Sequence, residues 1–243
     1  MITAGEFFKV DSTTSDKLLA FVREHEFIYR YLPMEYLLDT LQKKHMVFVN
    51  PNKWNDPFDN YLFKLAEKEF QESFTSSLFC QCITLNPHSQ AYWKTYGGNG
   101  FAARLKIKTK EYLDVIKATQ PQFWIGKMEY INEKELIERL KNTPNLRMDL
   151  SSKTVTDNFL EAFFLKRKPF EYEDEIRLLI QSSSTKEKLK MISNNNTETL
   201  KEVRLDPRMG KNEAKAWKEY LKQFGIKVTK SQLFKYSFHA FAS

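Results

Sequence analysis

The chain has 243 residues, a formal net charge of +7, 42% hydrophobic and 14% aromatic residues, so it can build a folded core and is not a disordered polyelectrolyte. Only 7 Gly occur, without GxGxxG or GxxxxGKS/T, which argues against glycine-rich Rossmann and P-loop nucleotide binders. The 2 cysteines, Cys80 and Cys82, form no disulfide framework or zinc site, the 4 histidines form no HxxxH or HExxH pattern, and no signal-like or membrane-length apolar run occurs, so the expected location is cytoplasmic.

In chain order, Leu18, Leu19, Phe21 and Val22 mark a helix over 15–26. "FIYRY" (27–31) reads as a strand that puts Tyr29 and Tyr31 on one face and Arg30 on the other. Pro33 opens a helix with Glu35 near its positive end, and "HMVFVN" (45–50) is a second strand. "PNKWNDPFDN" is a turn-rich loop, where Asn55 and Asp56 before Pro57 predict a fixed turn that can frame a pocket. A helix is expected over 60–74 and a strand over 77–85. "SQAYWKTYGG" predicts a short helix closed by Gly97 and Gly98, and 100–108 a half-exposed strand. A helix follows from Thr109, a strand over 123–131, and a helix over 133–141 with Asn132 and Glu135 as its capping box. Val155, Phe159 and Phe163 suggest a helix over 153–166. "YEDEIRLLI" is a strand, 182–199 a polar loop expected to be mobile, and the tail a strand (201–205), a helix (211–224) stopped by Gly225, and a strand (226–229).

Helices and strands mix without strict βαβ alternation. That predicts an α+β fold with a twisted, mostly antiparallel sheet and flanking helices, one domain over 1–243 including the basic strand-helix-strand of 200–235. From Lys186 to Lys235 there are 13 Lys and Arg against 6 Asp and Glu, so the whole charge excess lies there. Such a segment suits a polyanion, or is a solvated lysine-rich face.

The chemistry candidates centre on "FEYEDEIRLLI". Strand alternation puts Tyr172, Asp174, Ile176, Leu178 and Ile180 on the core side and Glu173, Glu175 and Arg177 in line on the other. Adjacent carboxylates repel, one pKa rises, and Arg177 can offset this by pairing with Glu175. The arrangement suits acid–base work or stabilisation of a cationic transition state, or is an exposed strand face. Tyr92, Trp93 and Tyr96 cluster on one short helix, where they can form core or stack on a nicotinamide or a base. Arg30 inside an apolar strand needs a partner or an anion. Asp56, Asp59, Glu173 and Glu175 offer hard oxygen ligands, so a magnesium-dependent nuclease is an alternative, as is a non-enzymatic nucleic-acid-binding module carried by the tail.

"YRYLP", "VFVNPNKWNDPFDN", "FCQCITLNPHSQAYWKTYGGNGF", "FEYEDEIRLL" and the closing "VRLDPRMGKNEA…IKVTKSQL" together resemble a bacterial family catalogued as domain of unknown function 2971. The chain departs from the family's usual pattern at Phe170, where a Trp or similar aromatic is common, and at Cys82-Ile83-Thr84. The family's layout is similar to that of ADP-ribosyltransferases, which implies a split sheet with NAD bound across the cleft. On that resemblance Arg30 is the early basic residue and holds a phosphate or the nicotinamide ribose. Tyr31, Tyr92 or Tyr96 stacks on nicotinamide. Glu175 bonds the ribose 2′-hydroxyl, and Glu173 orients or deprotonates a nucleic-acid or protein acceptor, in a toxin or phage-defence setting.

Overall fold

The computed structural model describes residues 5–11, 15–54, 77–97, 100–142, 160–182, 189–194 and 198–234. Its strands are β1 (Phe7–Val10), β2 (Phe27–Pro33), β3 (His45–Val49), β4 (Leu78–Thr84), β5 (Ala102–Lys108), β6 (Phe123–Lys127), β7 (Glu129–Ile131), β8 (Leu165–Arg167), β9 (Glu175–Gln181), β10 (Leu189–Ser193), β11 (Leu200–Leu205) and β12 (Lys227–Lys230). Its helices are α1 (Ser15–Glu24), α2 (Met34–Lys43), α3 (Gln90–Gly97), α4 (Thr109–Thr119), α5 (Glu133–Asn142) and α6 (Lys211–Leu221).

The main sheet runs β1-β6-β9-β4-β2-β5-β11-β12, with β3 and β10 branching from β4. Every pairing in it is antiparallel except β11 with β12, as expected from the element mixture. The branch splits the sheet. One edge of β4 pairs with β9 along its length, from Leu78↔Gln181 to Thr84↔Glu175. The other edge is shared: Cys80 pairs with Val49 of β3, and Thr84 with Tyr29 of β2. Between these two points the Gln81 amide Nε2 spans the gap and donates to the Val47 carbonyl at 2.8 Å.

Strand alternation sorts the side chains into two faces. The larger core lies on one face, where Ile28, Leu32, Ile83, Leu105, Ile176 and Leu178 meet helices α1, α2, α4 and α6. The opposite face carries two smaller clusters. Leu78, Cys80, Trp124 and Leu179 pack with Leu136 of α5 and with Phe163 and Phe164, and Tyr31 packs with Tyr92, Trp93 and Ala102. The candidate site lies on this second face.

Four expectations change. The strand expected over 123–131 breaks in two at Met128, whose N–H donates to the Glu175 carbonyl at 3.0 Å. The helix expected over 153–166 does not reach its expected end: residues 162–164 form a 3-10 turn and Leu165–Arg167 is β8, paired in parallel with β7. "YEDEIRLLI" is not one strand, because residues 168–173 form a 3-10 turn and Asp174 takes a left-handed conformation (φ 42°) before β9 begins at Glu175. Within the expected loop 182–199, residues 189–193 form β10, held by β3 from Leu189↔Val49 to Ser193↔His45. Pairing with β3 supplies backbone hydrogen bonds that composition does not show. The helix expected over 60–74 lies outside the described residues.

Candidate active site

The site is built where β9 starts, next to the end of β4. Glu175 is the first residue of β9 and is 1% exposed. Its Oε1 accepts from Arg177 Nε at 3.0 Å and its Oε2 from Lys166 Nζ at 2.7 Å. The same ammonium donates to Oε2 of Glu173 at 2.6 Å. One lysine thus bridges two buried carboxylates, and an arginine closes one end. Lys166 arrives from β8, whose pairing with β7 sets it opposite Tyr130. The Glu175 N–H donates to the Tyr130 hydroxyl at 2.8 Å. The small β7–β8 sheet therefore presents both Lys166 and Tyr130 to Glu175.

Glu173 reaches the cluster from the 3-10 turn, not from the strand, so its side chain folds back towards Glu175 instead of standing two residues along one face. Its carbonyl is fixed by Thr84 Oγ1 at 2.6 Å and by the Tyr92 hydroxyl at 3.0 Å. Asp174 sits in the left-handed turn before β9 and pairs at 3.0 Å with Lys127, the register partner of Ile176, so it lies at the half-exposed rim of the larger-core face. Arg177 donates through Nη1 to the Phe163 carbonyl at 2.6 Å and lies 4.6 Å from the centroid of the Trp54 ring.

The two carboxylates are pushed apart electrostatically. Burial raises the pKa of Glu173 to about 7, with the charge of Glu175 adding to the rise and Lys166 opposing it. Burial also acts to raise Glu175, but Arg177 and Lys166 outweigh it and hold this group well below the usual carboxylate range. The Cys82 thiol, beside Arg177 in the β4–β9 register, is pushed up by burial and then by Glu175. It is a neutral neighbour of the pair and not a thiolate nucleophile.

The aromatics adjoin this corner. Tyr31 stacks on Tyr92 at 4.8 Å, Tyr92 on Tyr96 at 5.5 Å, and Tyr172 meets Tyr92 edge-on at 6.5 Å. Trp93 is fully buried against the edge of Tyr31 and serves as core. Tyr31 is likewise enclosed, whereas Tyr96 and Tyr172 are exposed at the rim. Burial raises the hydroxyl pKa of both Tyr92 and Tyr96, so both remain neutral.

Arg30 does not converge on this site. Tyr29, Thr84 and Glu175 are register partners and share the site's face, so Arg30 points to the other side of the sheet, with its partner Leu105. Its place on the site's face is taken by Arg104, opposite Tyr31, which is buried, donates to the Pro87 carbonyl at 2.5 Å and to Glu202 at 3.3 Å, and stacks on Tyr29. Asn55, Asp56 and Asp59 lie outside the described residues. Among the described residues no three His, Cys, Asp or Glu are gathered to hold a metal, and the space between Glu173 and Glu175 is filled by the Lys166 ammonium.

Sequence reasoning therefore named Glu173, Glu175 and Arg177 but missed Lys166, Tyr130 and Thr84. One signal was available for Lys166: the basic run Lys166-Arg167-Lys168 and the acidic run Glu173-Asp174-Glu175 flank a short segment opened by Pro169.

No family model matches the chain, and no curated protein matches it. Among solved structures the chain is similar to DarT of Thermus sp. 2.9 in complex with NAD+, at 12% identity over 87% of this chain and 98% of that chain, with a TM-score of 0.39. It is similar to the same protein in complex with ADP-ribosylated ssDNA, at 12% identity over 88% and 97%, with a TM-score of 0.41. At these values no residue role passes from DarT to this chain.

Proposed function

We propose that this chain is an ADP-ribosyltransferase-like enzyme that consumes NAD and modifies a nucleic-acid or protein acceptor. The observation that carries the reading is the pair of buried carboxylates sharing Lys166, one held ionised and one raised towards neutrality. Such divergence separates the two tasks that glycosyl transfer needs. The resemblance of "YRYLP", "YWKTYGGNGF" and "FEYEDEIRLL" to domain of unknown function 2971, and of its layout to ADP-ribosyltransferases, supplies the substrate class.

In this reading Glu175 is the electrostatic partner of the reacting sugar. Arg177 and Lys166 each take one lone pair of its two oxygens, and because Glu175 is 1% exposed, in this reading NAD binding first opens this corner and a freed lone pair then accepts the ribose 2′-hydroxyl. The C1′–N bond of NAD breaks with its electron pair going to the pyridinium nitrogen, which leaves as neutral nicotinamide. The positive charge on the ribose faces an ionised carboxylate in a dry setting, where attraction is strong. The acceptor's oxygen or nitrogen lone pair then bonds to C1′, and its proton passes to Glu173. Of Tyr31, Tyr92 and Tyr96, Tyr96 is the exposed one and is placed to stack on the nicotinamide ring. Arg30 has no part in the reaction.

The test supplies NAD labelled in its adenylate phosphate together with single-stranded DNA, RNA or a protein extract, and follows nicotinamide release and label on each acceptor. Release by the wild type, lowered at least ~100-fold in folded Glu175→Gln, is expected from the loss of transition-state charge stabilisation. Absence of release with every acceptor would refute the enzymatic reading.

A further inference from the structure

The opposite face of the sheet holds a cavity of about 480 Å³ between β2, β5, α2, α4 and the segment that follows α6. This size falls within the usual range for small-molecule sites, ~300–1,000 Å³. One part of its wall is apolar, formed by Leu41, Met46, Leu105, Ile107, Phe224 and Ile226. Arg30 lies in that wall, half-buried, and Lys44 stands exposed at its edge. Among the described residues neither side chain makes an ion pair or a hydrogen bond. Among the described residues the lining holds one carboxylate, Glu198, which is paired with Lys201.

A second polar group in the cavity lacks a partner. Tyr112, on α4, is 3% exposed, and its hydroxyl makes no hydrogen bond to any of the described residues. A buried hydroxyl without a partner is destabilising, and a ligand atom that accepts from it removes that cost. Arg30 lies close enough to act on Tyr112 electrostatically, partly offsetting the rise that burial imposes on its pKa. A guanidinium and a hydroxyl without a described partner therefore line one chamber, beside an apolar patch and the polar side chains of Thr40, His45, Asn194, Thr199 and Gln223.

We infer that this cavity is a second binding site, for a small organic carboxylate with an apolar aliphatic or aromatic body, whose carboxylate takes Arg30 and the Tyr112 hydroxyl while the body lies against Leu105, Ile107, Phe224 and Ile226. Guanidinium and carboxylate match in a planar two-bond geometry, and the Tyr112 hydroxyl donates to one of the two lone pairs left. A bare inorganic anion would leave the apolar wall unused. Because Arg30 and Tyr31 are adjacent on β2 and face opposite sides, this site is separate from the carboxylate cluster.

The probe is 4-phenylbutyrate, titrated by calorimetry into the full chain, with 4-phenylbutan-1-ol and inorganic phosphate as comparisons. Binding of the acid is expected to be at least about ten-fold tighter than that of the alcohol or of phosphate, and about ten-fold weaker in Arg30→Met. Tyr112→Phe, which alters one atom of a packed side chain, is expected to weaken it by about three- to ten-fold and gives the same reading should Arg30→Met fail to fold. No binding at millimolar acid, phosphate binding as tightly as the acid, or unchanged affinity in a folded variant would overturn the assignment.

Discussion

Lys166 carries the residue-scale logic of the site, because one ammonium offsets two carboxylates at 2.6 and 2.7 Å. Lys166→Met leaves Glu173 and Glu175 facing each other without it. A loss of about 3–5 kcal/mol in unfolding free energy by denaturant titration is expected, since breaking a buried ion pair strands a charge. Glu173 gives a pH signature. Its folded pKa is raised by burial to about 7, so the stability it contributes is complete below its unfolded value, roughly 4.3, and is lost as pH rises through about 7. Glu175 has the opposite sign: its lowered pKa gives stability above the unfolded value, which is lost only under stronger acid. The wild type should therefore weaken between pH 5 and 8, and Glu173→Gln should flatten that slope, as denaturant midpoints at several pH values would show. In the transfer assay the same substitution should remove a rate limb that rises as Glu173 ionises.

At the scale of elements, the site depends on how closely three of them approach at β6. Gly126 is the register partner of both Phe7 and Arg177. A Cβ there would come within 2.5 Å of Phe7 Cβ and 2.8 Å of the Phe164 ring, and those two rings stack at 4.8 Å. Gly126→Ala should cost about 1–3 kcal/mol through overpacking, measurable as a lower thermal midpoint. It should also lower nicotinamide release, because Phe163, next to Phe164, receives Arg177 through its carbonyl. The 3-10 turn over 168–173 matters in the same way. It replaces strand pleat with a tight return, and this lets Glu173 meet the ammonium that Glu175 also binds.

For the whole molecule, β11, α6 and β12, at one end of the sheet order, carry 7 Lys and Arg against 3 Glu, a net +4 of the +7 excess in the last fifth. Lys211, Lys215 and Lys227 are exposed there. Of the cations in these elements, Arg204 is paired within the segment, since it meets Glu202 at 2.9 Å. If this end guides a nucleic-acid acceptor, affinity for a single-stranded oligonucleotide should fall steeply with salt. Reversing Lys211, Lys215 and Lys227 to Glu should flatten the salt slope while NAD turnover without acceptor stays unchanged. Filter binding over a salt series, with nicotinamide release alongside, checks both expectations. Among the described residues no helix is long and apolar enough to cross a membrane.

Local pattern determined most of the elements: α1 to α6 and strands such as β2, β4 and β5 follow from apolar periodicity, capping residues and glycine stops, all of which act within a few residues along the chain. It also determined that Tyr31 and Arg30 face opposite ways, and that Glu175 and Arg177 share a face, because alternation is a property of a single strand. Tertiary structure decided which face of one strand lies against which face of another. Arg30 was expected to oppose Glu175, yet the register Tyr29↔Thr84↔Glu175 places it behind the sheet. It also decided that Lys166 leaves its expected helix for β8 and that Glu173 leaves the strand for a turn, and so what bridges the two carboxylates. Register and the docking of β8 are set by contacts between residues far apart in sequence, and no local periodicity encodes those.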